Sequence, residues 1–299
     1  MWFEPATVEA VRDAFPEWMA LLFAVLSYLG SVWFVAPVVV LAFWFVDRRR
    51  FAPWLGIVMG GYALMVGIKS VFAVSRPGVG PAIEPAALPT VAGLFYAPLV
   101  EVHTPAFPSG HALAAVVVWG MFALESDVGR RRDRLVVAGL IPILVAFSRV
   151  AVGVHYPIDV VVGLGVGVTY LVVAFAVVRR IDDRATAAFG LAATVGVVAL
   201  AVSAEPDAAT LLGGAVGALV AWRLATPPRD PWPRTPTGAG LAVAGVGSLG
   251  LVALVLTVTD GLLARWIVGF VAAATVVSLP AFVPSRITRR SSTEPEPAR

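Results

Sequence analysis

Long apolar runs separated by short charged stretches leave this chain few ways to fold. They lie at about residues 19–46, 51–74, 110–124, 135–154, 158–178, 186–203, 208–224, 238–259 and 262–283 of 299. Roughly 20 residues cross a bilayer as a helix, because every backbone polar group must find its partner inside the segment. The spacing therefore predicts an all-α fold: a polytopic membrane helix bundle of about nine transmembrane helices. Composition agrees, with 59% hydrophobic and 14% charged residues, against roughly a quarter charged in a soluble domain. That balance excludes a soluble enzyme and a disordered chain. The net charge of +3 sits in clusters between the runs, which is membrane topology and not a nucleic-acid footprint. Without cysteine, disulfides and thiolate chemistry are excluded.

The clusters orient the bundle. Every lysine and arginine except Arg12, Lys69, Arg76, Arg149 and Arg265 falls within residues 47–50, 125–134, 179–184 and 222–234 or in the tail after Pro284. With nine spans all five segments share one side, and the positive-inside rule makes that side the cytoplasm. The N-terminus is then extracytoplasmic and the C-terminus cytoplasmic. Residues 1–18 start acidic, with Glu4, Glu9, Asp13 and Glu17, which does not suit a cleavable signal. Val8, Val11 and Phe15 recur at helical spacing, so this segment reads as an interfacial amphipathic helix. Residues 75–108, rich in Pro and Gly, read as a long outer loop, and residues 285–299 as a disordered cytoplasmic tail.

Against this apolar background a few polar residues stand out. The sole lysine, Lys69, closes an apolar run, and Arg76-Pro77 follows seven residues later. On one helix, seven residues are almost two turns, placing both cations on one face about 10 Å apart. Pro108-Ser109-Gly110-His111 opens the next run; Ser109 suits an N-cap, and free N–H groups of Ser109, Gly110 and His111 suit an anion. Ser148-Arg149 precedes His155, and Asp159 follows one helical turn later, after Pro157 at a helix start. All three segments fall at outer helix ends. Three cations, a helix N-terminus, two histidines and one carboxylate fit phosphoryl transfer, one histidine attacking and the other protonating the leaving oxygen. Zinc fits poorly, because lysine and arginines around the histidines repel a dication.

These segments read K-x6-R-P, P-S-G-H and S-R-x5-H-x3-D, in that order and without a substitution. In them the chain resembles the type 2 phosphatidic acid phosphatase superfamily, the histidine phosphatases related to vanadium haloperoxidases. The resemblance implies that His155 is the nucleophile forming a phosphohistidine, held by Asp159, and that His111 is the general acid. It implies phosphate binding by Lys69, Arg76, Ser109, Gly110 and Arg149, a supporting role for Ser148, and no metal or other cofactor. The substrate would be a lipid phosphate or polyprenyl diphosphate, hydrolysed at the membrane on its extracytoplasmic side. A phosphotransferase moving the phosphoryl group to a lipid or sugar hydroxyl is the alternative, since His111 would activate either acceptor.

The resemblance covers about residues 19–180, giving a phosphatase core of five to six helices at 19–184. Members of the family usually place three helices before the first signature, where only two full spans are visible. Residues 185–284 read as an additional four-helix membrane region serving as scaffold, lipid contact or homo-oligomer interface. A transporter would need charges or broken helices at the midplane, and the later runs have no such charges. His103, Glu84 and Glu101 read as ordinary loop residues. Gly163/Gly167 and Gly213/Gly217 read as close helix-packing faces.

Overall fold

The computed structural model of the chain describes residues 3–225 and 236–282. The expected tail at 285–299 and most of the basic cluster at 222–234 lie outside the described residues. Within them the regular structure is helical: α1 (Pro5–Asp13), α2 (Met19–Tyr28), α3 (Val32–Phe45), α4 (Arg48–Phe72), α5 (Thr90–Val100), α6 (Gly110–Glu125), α7 (Arg131–Ala151), α8 (Pro157–Val178), α9 (Arg184–Ser203), α10 (Pro206–Ala225), α11 (Pro236–Val258) and α12 (Leu262–Phe282).

The protein is an all-α membrane-type bundle, and among the described residues the exact count of nine crossings is not confirmed. Among the described residues six helices, α4, α7, α8, α9, α10 and α12, are long and apolar enough to span. A seventh appears if α2 and α3, bent by 40° at a short break, count as one span. Of the two others, α6 falls short. α6 has 16 residues, about 24 Å at 1.5 Å per residue against roughly 30 Å of hydrocarbon. α11 has 23 residues and includes an apolar stretch at Gly245–Leu256.

Packing explains why a short helix is tolerated. α6 buries Ala112, Leu113, Ala115, Val117 and Met121 among α4, α7 and α8, so it meets protein and has no need to match the bilayer. Its neighbours carry the lipid-facing surface: Leu140 and Ile143 of α7, and Val161, Val168 and Val172 of α8, are exposed. Exposed large apolar side chains on long helices are what hydrocarbon solvent permits. α4 lies in contact with α3, α6, α8, α9 and α10.

The α2–α3 break sits against the start of α6. A Cβ on Gly30 would lie 2.4 Å from the His111 carbonyl oxygen, so only glycine lets the chain turn there. Trp119 Nε1 donates to the Leu29 carbonyl at 3.0 Å, satisfying an acceptor at the break. Residues 75–108 are also not a plain loop, because they contain α5, whose Val91, Leu94 and Phe95 are exposed. The run Thr90–Val100 is itself apolar, and the Pro and Gly around it obscure that signal.

Candidate active site

α4 ends, α6 begins, α7 ends and α8 begins at one end of the bundle. Their antiparallel order follows from the short connections between α6, α7 and α8. The three signature segments therefore meet in a cavity of about 420 Å³ lined by Lys69, Arg76, Gly110, His111, Arg149 and His155.

At its centre is a buried pair. His155, in the α7–α8 loop, places Nδ1 3.2 Å from Asp159 Oδ2, one turn into α8. The same oxygen accepts from the Tyr156 backbone N–H at 2.8 Å, which holds the carboxylate in place against the histidine. On the other ring edge, His155 Nε2 lies 3.5 Å from Arg76 Nη1. An arginine only donates, so Nε2 is the accepting nitrogen and Nδ1 carries the proton toward Asp159. Burial first, then the positive charges of Arg76, Arg149 and Lys69, holds the His155 pKa well below its ordinary value. The imidazole is thus neutral, with a lone pair facing the cavity.

The cations are held by carbonyl groups. Lys69 donates to the Pro105 carbonyl. Arg76 donates from Nε to the Thr104 carbonyl at 2.8 Å and from Nη1 to the Val154 carbonyl at 2.6 Å. Burial lowers the Arg76 pKa to about 10, opposed by Asp159, so the guanidinium stays charged at neutral pH. Arg149, fully buried on the last turn of α7, donates from Nη2 to the Leu99 carbonyl of α5 at 2.9 Å. Carbonyl partners orient these groups without neutralising them. Three cations thus gather beside the His155–Asp159 pair, an arrangement suited to a phosphate.

Two expectations about local geometry are corrected. Arg76 does not share a helix with Lys69: α4 stops at Phe72, where Ala73 turns left-handed (φ 46°), before Pro77 could end it. Arg76 returns to the site along the following loop. Ser109 occupies the N-cap position of α6, but its hydroxyl makes no cap bond. Its backbone N–H donates to the Asp159 carbonyl at 2.9 Å and is not free for an anion. That bond ties the start of α6 to α8. The free donors are those of Gly110 and His111, the first residues of α6, whose N–H groups have no acceptor within the helix.

Several buried atoms at the site lack a hydrogen-bond partner: Ser109 Oγ, His111 Nε2, Arg149 Nε and Nη1, and Asp159 Oδ1. Ser148 is different, since its hydroxyl bonds Ser27 Oγ of α2 at 2.8 Å and the Val145 carbonyl at 2.7 Å; it holds the scaffold. Residues that sequence reasoning passed over also line the cavity. They are His103 and Thr104 of the outer loop, Tyr62 of α4, and Glu205 and Asp207 at the α9–α10 turn. Tyr62 precedes Lys69 by seven residues on one helix, and that spacing was its available signal. Glu84 and Glu101 are exposed and do not line the cavity.

Residues 50–183 match the PAP2 superfamily family model, a span that holds all three segments. This region of the chain is similar to the PAP2 superfamily. α1–α3 and α9–α12 lie outside the PAP2 match. Over 95 residues the chain is 33% identical to phosphatidylglycerophosphatase B of Bacillus subtilis (strain 168), covering 30% of this chain and 45% of that protein. The chain thus matches less than half the length of this curated relative. Among solved structures, Aquifex aeolicus LpxE aligns with 57% of this chain and 93% of its own, at 22% identity and a TM-score of 0.42.

Proposed function

We propose that this chain is a metal-independent membrane phosphatase of the PAP2 type that hydrolyses a lipid phosphate or polyprenyl diphosphate through a phosphohistidine. The observation that carries the reading is the His155–Asp159 pair opening onto a cavity shared with His111 and three cations. The phosphate would rest among Lys69, Arg76, Arg149 and the first N–H groups of α6, where charge develops in the transition state. His155 Nε2 attacks phosphorus as the bond to the leaving oxygen breaks, and His111 gives that oxygen its proton. Water then attacks the phosphohistidine, giving up a proton to His111, and phosphate leaves with His155 restored.

Under this reading residues 19–184 are the phosphatase core, residues 185–284 an additional membrane region, and the catalytic end faces the extracytoplasmic side. The similarity to phosphatidylglycerophosphatase B supports a lipid substrate. The test is phosphate release by the detergent-solubilised protein from a panel of lipid monophosphates and polyprenyl diphosphates, with EDTA and without an added acceptor. Release that persists in EDTA and is competitively inhibited by vanadate, a mimic of the trigonal-bipyramidal transition state, is the expected result. Strict magnesium dependence would refute the mechanism, and release only on adding a hydroxyl acceptor would make the protein a phosphotransferase.

A further inference from the structure

A second and larger cavity, about 620 Å³, lies at the opposite end of the bundle from His155, among the ends of α4, α6, α8, α9 and α10. Its floor is apolar, with Ile57, Met121 and Val178 buried there and Phe175 beside them. Its rim is cationic, with Arg49 and Arg50 from α4, Arg179 just after α8 and Arg184 at the start of α9.

The rim carboxylates are already largely committed. Asp183 caps α9 through the Thr186 N–H at 3.1 Å and takes the Trp222 indole N–H at 3.2 Å. Arg50 pairs with Asp127, and Glu125 reaches Arg184 at 4.0 Å. Among the described residues Arg49 and Arg179 form no ion pair, and Asp182 is the remaining rim carboxylate. The Arg179 guanidinium lies 5.2 Å from the centre of the Phe175 ring. That contact holds it above the apolar floor and leaves its N–H groups free.

A cationic rim over an apolar floor has the form of an amphiphile site. A soluble anion would have no use for the floor, and a neutral lipid none for the surplus arginines. The exposed Val172 and Val173 of α8, one to two turns deeper, offer a lipid-facing path for acyl chains. We infer that this cavity binds the phosphate headgroup of an anionic phospholipid from the leaflet opposite the catalytic end, between Arg49 and Arg179. Basic pockets between helices at that face are suited to anionic lipids, and two arginines there are together worth roughly a thirtyfold change in apparent affinity.

The test compares the full chain with the R49Q/R179Q double variant in phosphatidylcholine nanodiscs. Because both arginines are exposed and outside the described ion pairs, the variant should unfold at the wild-type temperature in phosphatidylcholine alone. Adding phosphatidylglycerol should raise the unfolding temperature of the wild type, with the half-maximal dose roughly thirtyfold higher in the variant. Native mass spectrometry, which does not depend on fold stability, should find a retained phosphatidylglycerol on the wild type and none on the variant. Equal retention by the two proteins, or an equal effect of phosphatidylcholine, would overturn the inference. So would the full shift from glycerol phosphate alone, which would make the cavity a site for a soluble anion.

Discussion

An unpaired buried polar atom costs roughly 1–3 kcal/mol, so five of them around one cavity call for a common cause. Ser109 Oγ, His111 Nε2, Arg149 Nε and Nη1, and Asp159 Oδ1 come from segments far apart in sequence. A phosphate with several acceptor oxygens, some of them protonated, would engage donors and acceptors alike. If His155 is the nucleophile, H155A is expected to abolish both phosphate release and the acid-labile phosphoenzyme. If His111 is the general acid, H111A should slow turnover by about 10²–10⁴-fold on a lipid alkoxide leaving group. It should do much less on an aryl phosphate, whose leaving oxygen needs no proton. Equal losses on both substrates would remove the acid role from His111. These residue types were legible in the sequence because a lysine, arginines and histidines at apolar-run ends have few other reasons to be there. Their route to the site was not. Arg76 gets there along a loop, because α4 ends at Ala73, and no local spacing rule marks that alanine as a left-handed stop.

At the scale of elements, the site depends on how closely α6 and α8 approach. A Cβ on Gly163 of α8 would stand 2.6 Å from the Ser109 carbonyl oxygen, a backbone atom that cannot rotate aside. G163A should therefore push the start of α6 away from α8, stretching the bond from Ser109 N–H to the Asp159 carbonyl and moving His111 relative to His155. A displacement near 1 Å costs up to about a hundredfold in rate, so kcat should fall about ten- to a hundredfold while the protein still folds in detergent. An unchanged kcat would show that the α6–α8 approach has no part in catalysis. The far glycines act elsewhere: Gly213 and Gly217 of α10 would place a Cβ 2.0 and 2.2 Å from the Trp266 and Phe270 carbonyl oxygens of α12. Both small-residue faces were readable as packing from their four-residue spacing. The break between α2 and α3 was not read, although Gly30-Ser31 lies inside the run. Hydropathy averages over such a pair, and the kink becomes visible only when the His111 carbonyl is seen beside it.

The whole molecule separates its charges along one axis. The signature residues gather at one end, and Arg48, Arg49, Arg50, Arg130, Arg131, Arg132, Arg134, Arg179, Arg180 and Arg184 lie toward the other. That separation was legible in the arginines alone, and it does not require α6 to be a full-length crossing, because α6 still carries the chain from one end to the other. The positive-inside rule would make the arginine end cytoplasmic, and under the proposed function the cavity would then open to the extracytoplasmic side. The short α6 adds depth to that orientation. With its far end near the arginine cluster and a length of about 24 Å, its His111 end stops short of the outer edge of a roughly 30 Å hydrocarbon layer. A recessed cationic cavity suits a phosphate carried at the lipid headgroup level better than a large soluble phosphoester. Orientation is open to cysteine labelling, since the chain has no cysteine of its own. Ala87, exposed on the catalytic side, and Val128, exposed between α6 and α7 on the arginine side, are suitable reporters. In intact cells A87C should react with a membrane-impermeant maleimide and V128C only after permeabilisation. The reverse pattern would turn the cavity to the cytoplasm and rule out processing of outer-leaflet lipids, while leaving the chemistry of His155 and His111 untouched.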